Sequence, residues 1–574
     1  MNFILAALRD NLAETVRLRR FLVNTCAAAL TAAGLALFAS LPVSAGADTP
    51  RVQVAAEREI APVIAALLED EGTLRDGVGV PLDFYTLQQF YAGRDHQAAW
   101  VDALGLTDAG RSVVKVLAEA DREGLRAEDY FIADIATLSD SQEPAALGQL
   151  DVLISGALLE YAGDLKRGRL APRSIDPELF QAPDSFDRLT ELRRLAASQR
   201  PGADLRDLAP ALPEYRRLRR ALAHYREIEA AGGWPGLPEG ETLKEGMRDP
   251  QVAVLRRHLT VTGDLSVSSN DAELFDSGLT QAVMRYQRRL GLDADGVVGP
   301  ATRAQLNVPV NTRIGQIVLN MERWRWMPED LGERYVLVNL AGFELEVVEF
   351  GSVHLAMKVV VGRPYRRTPV FSDTISYLEV NPTWTVPPTI LREDILPKLR
   401  KDPGYLAENN MKLYHGWDAS APALDPAGID WQSVPPRANP YRIVQAPGPK
   451  NALGRIKFMF PNKYQVYLHD TPSRELFSRP ARAFSSGCIR VERPMELADY
   501  LLGANADWDR SRVEKLIAEG QTTRVNLARP VPVHLTYATA WIGEGGTIHF
   551  REDVYGRDTL LADALFVAGR TRGG

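Results

Sequence analysis

Through the first half of the chain, apolar residues recur at three- and four-residue spacing. VIAALLEDEG, GRSVVKVLAEADREG, LDVLISGALLEYAGDLKRG and PEYRRLRRALAHYREIEAAGG all carry it, and Gly and Pro punctuate them. That pattern predicts amphipathic helices, so residues 48–240 read as a helical scaffold domain. No carboxylate pair, metal-ligand spacing or Gly-rich loop there rises above a solvated helix face, and Trp100 reads as a packing anchor. Its expected role is scaffolding or protein interaction. Residues 247–307 form a smaller helical unit. Val252, Leu255 and Leu259 share one face of a first helix, and Leu279, Val283, Tyr286 and Leu290 repeat along a second. Asp295-Gly296 marks a turn, and Pro300 opens a short third helix. From Arg334 the period drops to two. YVLVNL, FELEVVEF, VHLAMKVVVG, YLEVNPTWTV and KYQVYLHDT read as strands with Gly-containing turns. Helical pattern is confined to the stretches after Pro388 and Glu492. The predicted fold class is multidomain α+β. A β-rich domain at 334–505 is interrupted by a long, mostly irregular insertion at about 387–447, read as a lid. Residues 506–574 are expected to add a helix and strands that pack on it.

Composition narrows the class. The chain has 574 residues, 45% hydrophobic and 25% charged, as in soluble globular proteins. Its net charge of −7 gives no reason to expect nucleic acid as a partner. The N-terminus reads as an export signal: Arg17, Arg19 and Arg20, then an apolar run from Phe21 to Leu41, then small residues to Ala47. The competing reading is an uncleaved anchor, since the run is long enough to span a bilayer, and only then would the membrane be a partner. Either way the bulk of the protein is expected outside the cytoplasm, in the periplasm. Cleaving 1–47 would remove Cys26 and leave Cys488 as the one thiol in a compartment that oxidises thiols. An unpaired thiol there suggests intermolecular pairing or a reactive nucleophile, against the bland alternative of a buried, inert cysteine.

The surrounding sequence favours the nucleophile. In YLHDTPSRELFSRPARAFSSGCIRVERP, His469 ends a predicted strand and Cys488 follows in SSGCIR. A thiol nucleophile needs a base, usually His, to raise its thiolate fraction. Gly487 permits a tight turn that can aim main-chain N–H groups at a developing oxyanion. Ser485 and Ser486 can orient the imidazole or bond the loop. The other seven histidines have no such context. No H-E-x-x-H motif or Cys/His ligand set exists, so no metal is expected. DADG lacks the terminal Glu of a calcium loop.

Two resemblances follow from these motifs. Tyr286, Gln287, Gly291, Leu292, Asp295, Gly296, Gly299, Thr302 and Leu306 match the signature of three-helix peptidoglycan-binding domains. HDT…SSGCIR resembles the active-site signature of the YkuD-type L,D-transpeptidases. VGRPYRRTP, NPTWTVPPTI, LRKDPGYL and QAPGPKNALGRIKF are similar to the large Gram-negative murein members of that family. Many short members have His where Ser486 stands; the large ones have Ser.

The resemblance implies that Cys488 attacks the bond between diaminopimelate and D-alanine of a peptidoglycan stem tetrapeptide. D-alanine leaves, and the amine of a second stem resolves the thioester. His469 handles protons, N–H groups around Gly487 and Cys488 steady the oxyanion, and the Tyr467 hydroxyl is a further donor. Arg490 is either a substrate-carboxylate contact or a loop brace. Trp384 and Tyr405 line the donor cleft, and Ser485 and Ser486 belong to the substrate-binding loop. The group orienting His469 is open between Asp470 and a backbone carbonyl. No cofactor is implied, carbapenems should acylate the cysteine, and the partners are stem peptides and other wall-synthesis proteins. Two rivals stand: a hydrolase on the same fold, with water as acceptor, and a non-catalytic wall-binding scaffold, against which the intact Cys–His pair argues. A papain-like protease is disfavoured by the β-rich domain and the order of His before Cys.

Overall fold

The computed structural model describes residues 59–266 and 270–567. The proposed export segment therefore lies outside the described residues. Among those described, no helix is long and apolar enough to cross a membrane.

The helical half is organised around buried helices. Helix α1 (Asp108–Ala118) starts at a Thr107 cap, and α2 (Pro144–Arg167) starts at a first-turn proline. Leu150, Val152, Leu153, Ile154, Leu158 and Leu159 on α2 are fully buried, so this helix is apolar on nearly every side. Of its two buried acids, Asp151 accepts the Ala99, Trp100 and Val101 N–H groups and the Tyr91 hydroxyl, and Asp164 accepts the Tyr130 hydroxyl. Trp100 is wholly buried and donates to Ser155 at 2.8 Å, as the packing-anchor reading expected.

Helix α3 (Pro213–Ala230) precedes the small unit of α4 (Pro250–Val261), α5 (Ser277–Arg289) and α6 (Pro300–Leu306). Gln287 closes the Asp295–Gly296 turn by donating to Asp295 and Val297 and accepting the Gly296 N–H. Helix α7 (Val310–Arg325) had no counterpart in the sequence reading. Its Arg313, Glu322, Arg323 and Arg325 are all buried, which hides the apolar stripe. Glu322 pairs with Arg325 at 2.8 Å and accepts the Arg169 N–H, while Arg325 reaches the Tyr215 hydroxyl.

Nine strands form the catalytic sheet. They are β1 (Arg334–Asn339), β2 (Glu344–Glu349), β3 (Ser352–Gly362), β4 (Ser372–Val380), β9 (Ile456–Met459), β10 (Leu468–His469), β11 (Ala483–Ser485), β12 (Ile489–Val491) and β13 (Thr523–Thr536). Their order is β11-β3-β12-β10-β9-β4-β13-β1-β2, and β2 pairs again with β3, so the sheet closes on itself. Strand β13 lies in the middle, antiparallel to β4 and parallel to β1. The sequence reading had put it in a separate C-terminal part; it belongs inside the sheet because it satisfies the backbone of two strands at once.

The insertion is more ordered than expected. Strands β5 (Trp384–Thr385), β6 (Met411–His415), β7 (Ala423–Leu424) and β8 (Tyr441–Gln445) form a sheet of their own, in the order β5-β8-β6-β7. It has a separate core of Leu396, Leu399, Leu406, Leu413, Trp431 and Ile443. Trp431 is thus interior packing, whereas Trp417 is 65% exposed.

The scaffold also touches the catalytic sheet. Glu178 and Phe180 exchange backbone hydrogen bonds with Val370, at 3.0 and 2.8 Å. Beside them Asp176, 1% exposed, accepts from Arg367 and Arg557, both at 3.0 Å.

Candidate active site

Strand register assembles the site. In the parallel pair β10–β12, Leu468 faces Ile489 and His469 faces Arg490, which sets Tyr467 level with Cys488 one residue back. Side chains alternate along a strand, so Tyr467, His469, Cys488 and Arg490 share one face. On the other side of β10, Lys457 faces His469, Glu379 faces Lys457 and Arg524 faces Glu379. The row one residue away holds Ile489, Leu468, Phe458, Leu378 and Val525, all core. The apolar row locks the register, and a one-residue slip would bury the charged row.

Cys488 sits at the mouth of β12, half-buried. Its turn is held at three points. The Ser485 hydroxyl donates to the Cys488 carbonyl at 2.5 Å and accepts the Gly487 N–H at 3.1 Å. The Thr368 hydroxyl donates to the Gly487 carbonyl at 2.8 Å and accepts the Gly362 N–H at 3.0 Å. Tyr555 backs Thr368 by donating to the Gly362 carbonyl at 2.7 Å. Gly487 has a φ of 115°, where only glycine is at ease. The Gly487 amide is taken by Ser485, whereas the Ser486 and Cys488 amides have no acceptor among the described residues.

His469 is 4% exposed. Its Nδ1 lies 2.5 Å from the carbonyl oxygen of Asp470, so Nδ1 carries the proton and Nε2 is left with its lone pair. The orienting group is thus the backbone carbonyl; the Asp470 carboxylate is turned to the Arg455 N–H and Arg474. Burial first, then the positive charge of Arg490, pushes His469 down to about 3. Burial pushes the Cys488 thiol up, against hydrogen bonds from Tyr467. The resting pair is therefore neutral thiol and neutral imidazole. Burial, then Cys488, raises the Tyr467 phenol well above its ordinary value, so it stays a donor. Its ring stands edge-on to His469 at 5.7 Å, and Lys457 lies over it at 4.2 Å.

The remaining sequence-predicted residues fall into two sets. Ser485, at 3% exposure, braces the turn, and Ser486 is exposed and accepts from Arg366 at 2.7 Å. Arg490 is half-buried and forms no ion pair among the described residues; its Nε is buried without a hydrogen-bond partner. Trp384 and Tyr405 lie on the insertion, whose core also packs against Tyr467. Trp384 pairs with Gln445 at the lid's base and sits in the lid core, and Tyr405 packs on that core with Lys398 over its ring. Thr368, Arg366, Lys457 and Tyr555 were not singled out from the sequence. The signal for Thr368, Arg366 and Lys457 was their place in the phrases VGRPYRRTP and GRIKF; Tyr555 carried none. Among the described residues, no group of three or more His, Cys, Asp and Glu is placed to hold a metal ion.

Comparison with known proteins agrees with the layout. Residues 333–532 match the family model described as "L,D-transpeptidase catalytic domain", residues 85–222 a "Scaffold domain", and residues 248–306 a "Putative peptidoglycan binding domain". A Haemophilus influenzae protein named "Putative L,D-transpeptidase" is 39% identical over 246 residues, 43% of this chain and 48% of that protein. The chain thus spans about half the length of this curated relative. N-acetylmuramoyl-L-alanine amidase CwlM of Mycobacterium tuberculosis is 41% identical over 76 residues, 12% of this chain and 19% of its own. A solved L,D-transpeptidase from Stackebrandtia nassauensis aligns with 53% of this chain and 96% of its own, at 14% identity and a TM-score of 0.21. Residues 333–532 are an L,D-transpeptidase catalytic domain of the YkuD family, on a chain that also carries a scaffold domain and a peptidoglycan-binding domain.

Proposed function

We propose that this chain is an exported murein L,D-transpeptidase that joins the diaminopimelate residues of two peptidoglycan stems through a thioester on Cys488. The observation that carries the reading is the shared face of β10 and β12, with Cys488 level with Tyr467 and with His469 pinned at Nδ1 by the Asp470 carbonyl. The pair is neutral at rest, so charge develops only when substrate arrives. His469 Nε2 takes the thiol proton as Sγ bonds to the carbonyl carbon between diaminopimelate and D-alanine. The oxyanion is met by the Cys488 amide and the Tyr467 hydroxyl. The C–N bond then breaks, the imidazolium proton goes to the amine, and D-alanine leaves. A diaminopimelate amine of the second stem gives a proton to His469 and attacks the thioester. Sulfur departs and is reprotonated. Arg490, a cation with no ion-pair partner among the described residues, suits a substrate carboxylate better than a brace.

Muropeptide mass spectrometry tests this. Purified protein incubated with tetrapeptide-bearing sacculi should release D-alanine and form dimers cross-linked between third residues. Cys488→Ala should do neither. Tripeptide alone would identify a hydrolase.

A further inference from the structure

Arg366 lies between the lid and the nucleophile turn and touches both. It sits in the β3–β4 loop, and its side chain is 9% exposed. On one side its Nη1 donates to the Ser486 hydroxyl at 2.7 Å, two residues before Cys488. On the other side its Nε and Nη2 donate to Glu393 at 3.2 and 2.6 Å, and both Nη atoms reach Asp394. Glu393 and Asp394 lie on Leu391–Ile395, a π-helical turn at the start of the lid. Wide turns of this kind are uncommon and cluster at functional sites. Leu391 and Ile395, flanking the two acids, are buried in the lid core, so the acids move with the lid.

One guanidinium thus serves two carboxylates of the lid and one hydroxyl of the catalytic turn. Its fork geometry is fixed, so it cannot follow the lid and keep Ser486 as well. We propose that Arg366 is a positioning residue that makes the order of the Ser485–Cys488 turn depend on the seating of the lid. With the lid seated, Glu393 and Asp394 aim Arg366 at Ser486 and hold the turn; with it lifted, Arg366 is drawn off or left without its counter-charges, and the turn loosens. Such coupling is reciprocal, so loosening the turn must also loosen the lid's base. The product consequences rest on the proposed transpeptidase reading, but the coupling itself does not.

Hydrogen exchange on the full chain tests it, with Glu393→Gln/Asp394→Asn, Ser486→Ala and the triple variant. The double variant should speed amide exchange at 485–489 at least tenfold, and Ser486→Ala should speed exchange at 391–399 at least threefold. Exchange within α2 stays at the parent rate and reports an intact scaffold. The triple variant should be no faster at either segment than the worse of its parents, because one linkage is being cut twice. If the double variant leaves 485–489 unchanged, or Ser486→Ala leaves 391–399 unchanged, the coupling is absent. For a catalytic readout, the double variant should lower kcat tenfold or more with KM within threefold. A parent enzyme inactive on muropeptides but with coupled exchange would overturn the transpeptidase reading and leave the latch standing. Equal loss in kcat and KM with uncoupled exchange would overturn the latch alone.

Discussion

Gly487→Ala separates oxyanion support from simple access to the thiol. At Gly487 a Cβ would find its nearest heavy atom, the Arg367 carbonyl oxygen, at 3.7 Å, an ordinary contact. No clash therefore opposes the substitution, in contrast to Gly362, where a Cβ would lie 2.2 Å from the Arg366 carbonyl oxygen. The cost is conformational. A φ of 115° is foreign to alanine, and holding it costs about 1–3 kcal/mol. In a catalytic domain of this size that is a Tm drop of roughly 2–10 °C, so the variant folds. The strain is relieved by rotating the 487–488 peptide, which turns the Cys488 amide away from the developing oxyanion. Losing one such donor costs about 10²–10³ in rate. The assay is acylation of Cys488 by a carbapenem, followed by intact-protein mass spectrometry, beside alkylation by iodoacetamide. Alkylation passes through no oxyanion and should change by less than about tenfold, against the larger acylation loss. Acylation within threefold of the parent, or an equal fall in both reactions, would refute the assignment of the turn.

Three further outcomes are expected. Because burial raises the Cys488 thiol above its ordinary 9.0 and lowers His469 to about 3, iodoacetamide alkylation should still be climbing at pH 9; a plateau near neutrality would reveal a resting ion pair instead. His258, buried against Trp234 and Tyr286, is pushed down to about 4, so the unfolded chain binds a proton that the folded one refuses. His258 should therefore contribute a fall of about 3 kcal/mol as pH drops from 6.5 to 4, beside the buried His469 and His549, and His258→Gln should make that limb of a denaturant titration shallower. Asp176→Ala strips the 1%-exposed Arg557 of its main partner and should cost about 3 kcal/mol, whereas Glu178→Gln, on a half-exposed partner, should cost under about 1; equal Tm shifts would count against a buried joint.

Local chemistry made much of this protein legible in its sequence. Periodicity of three to four marked α3, and periodicity of two marked β1, β2 and β3, because each of these elements has one face to bury. The SSGC turn was readable because a thiol nucleophile needs a base and a glycine to turn on, and Gly487 adjoins Cys488 with His469 nineteen residues before it. Helix α7 was not legible, because arginines and a glutamate are buried among its apolar residues, with partners from Asn320, Tyr215 and the Arg169 backbone. The lid's own core was hidden for a similar reason: Leu396, Leu413 and Ile443 look irregular in sequence and meet only when β6 and β8 pair. The sequence offered both Asp470 and a carbonyl to orient His469. Only the fold could choose, by turning the Asp470 carboxylate onto the Arg455 amide while the adjacent carbonyl meets Nδ1. Composition and spacing thus determined many of the elements and pointed to His469 and Cys488. Partners separated by more than a hundred residues, such as Thr368 with Gly487 and Arg366 with Ser486, were decided by closure of the sheet, which alone brings β3 beside β12.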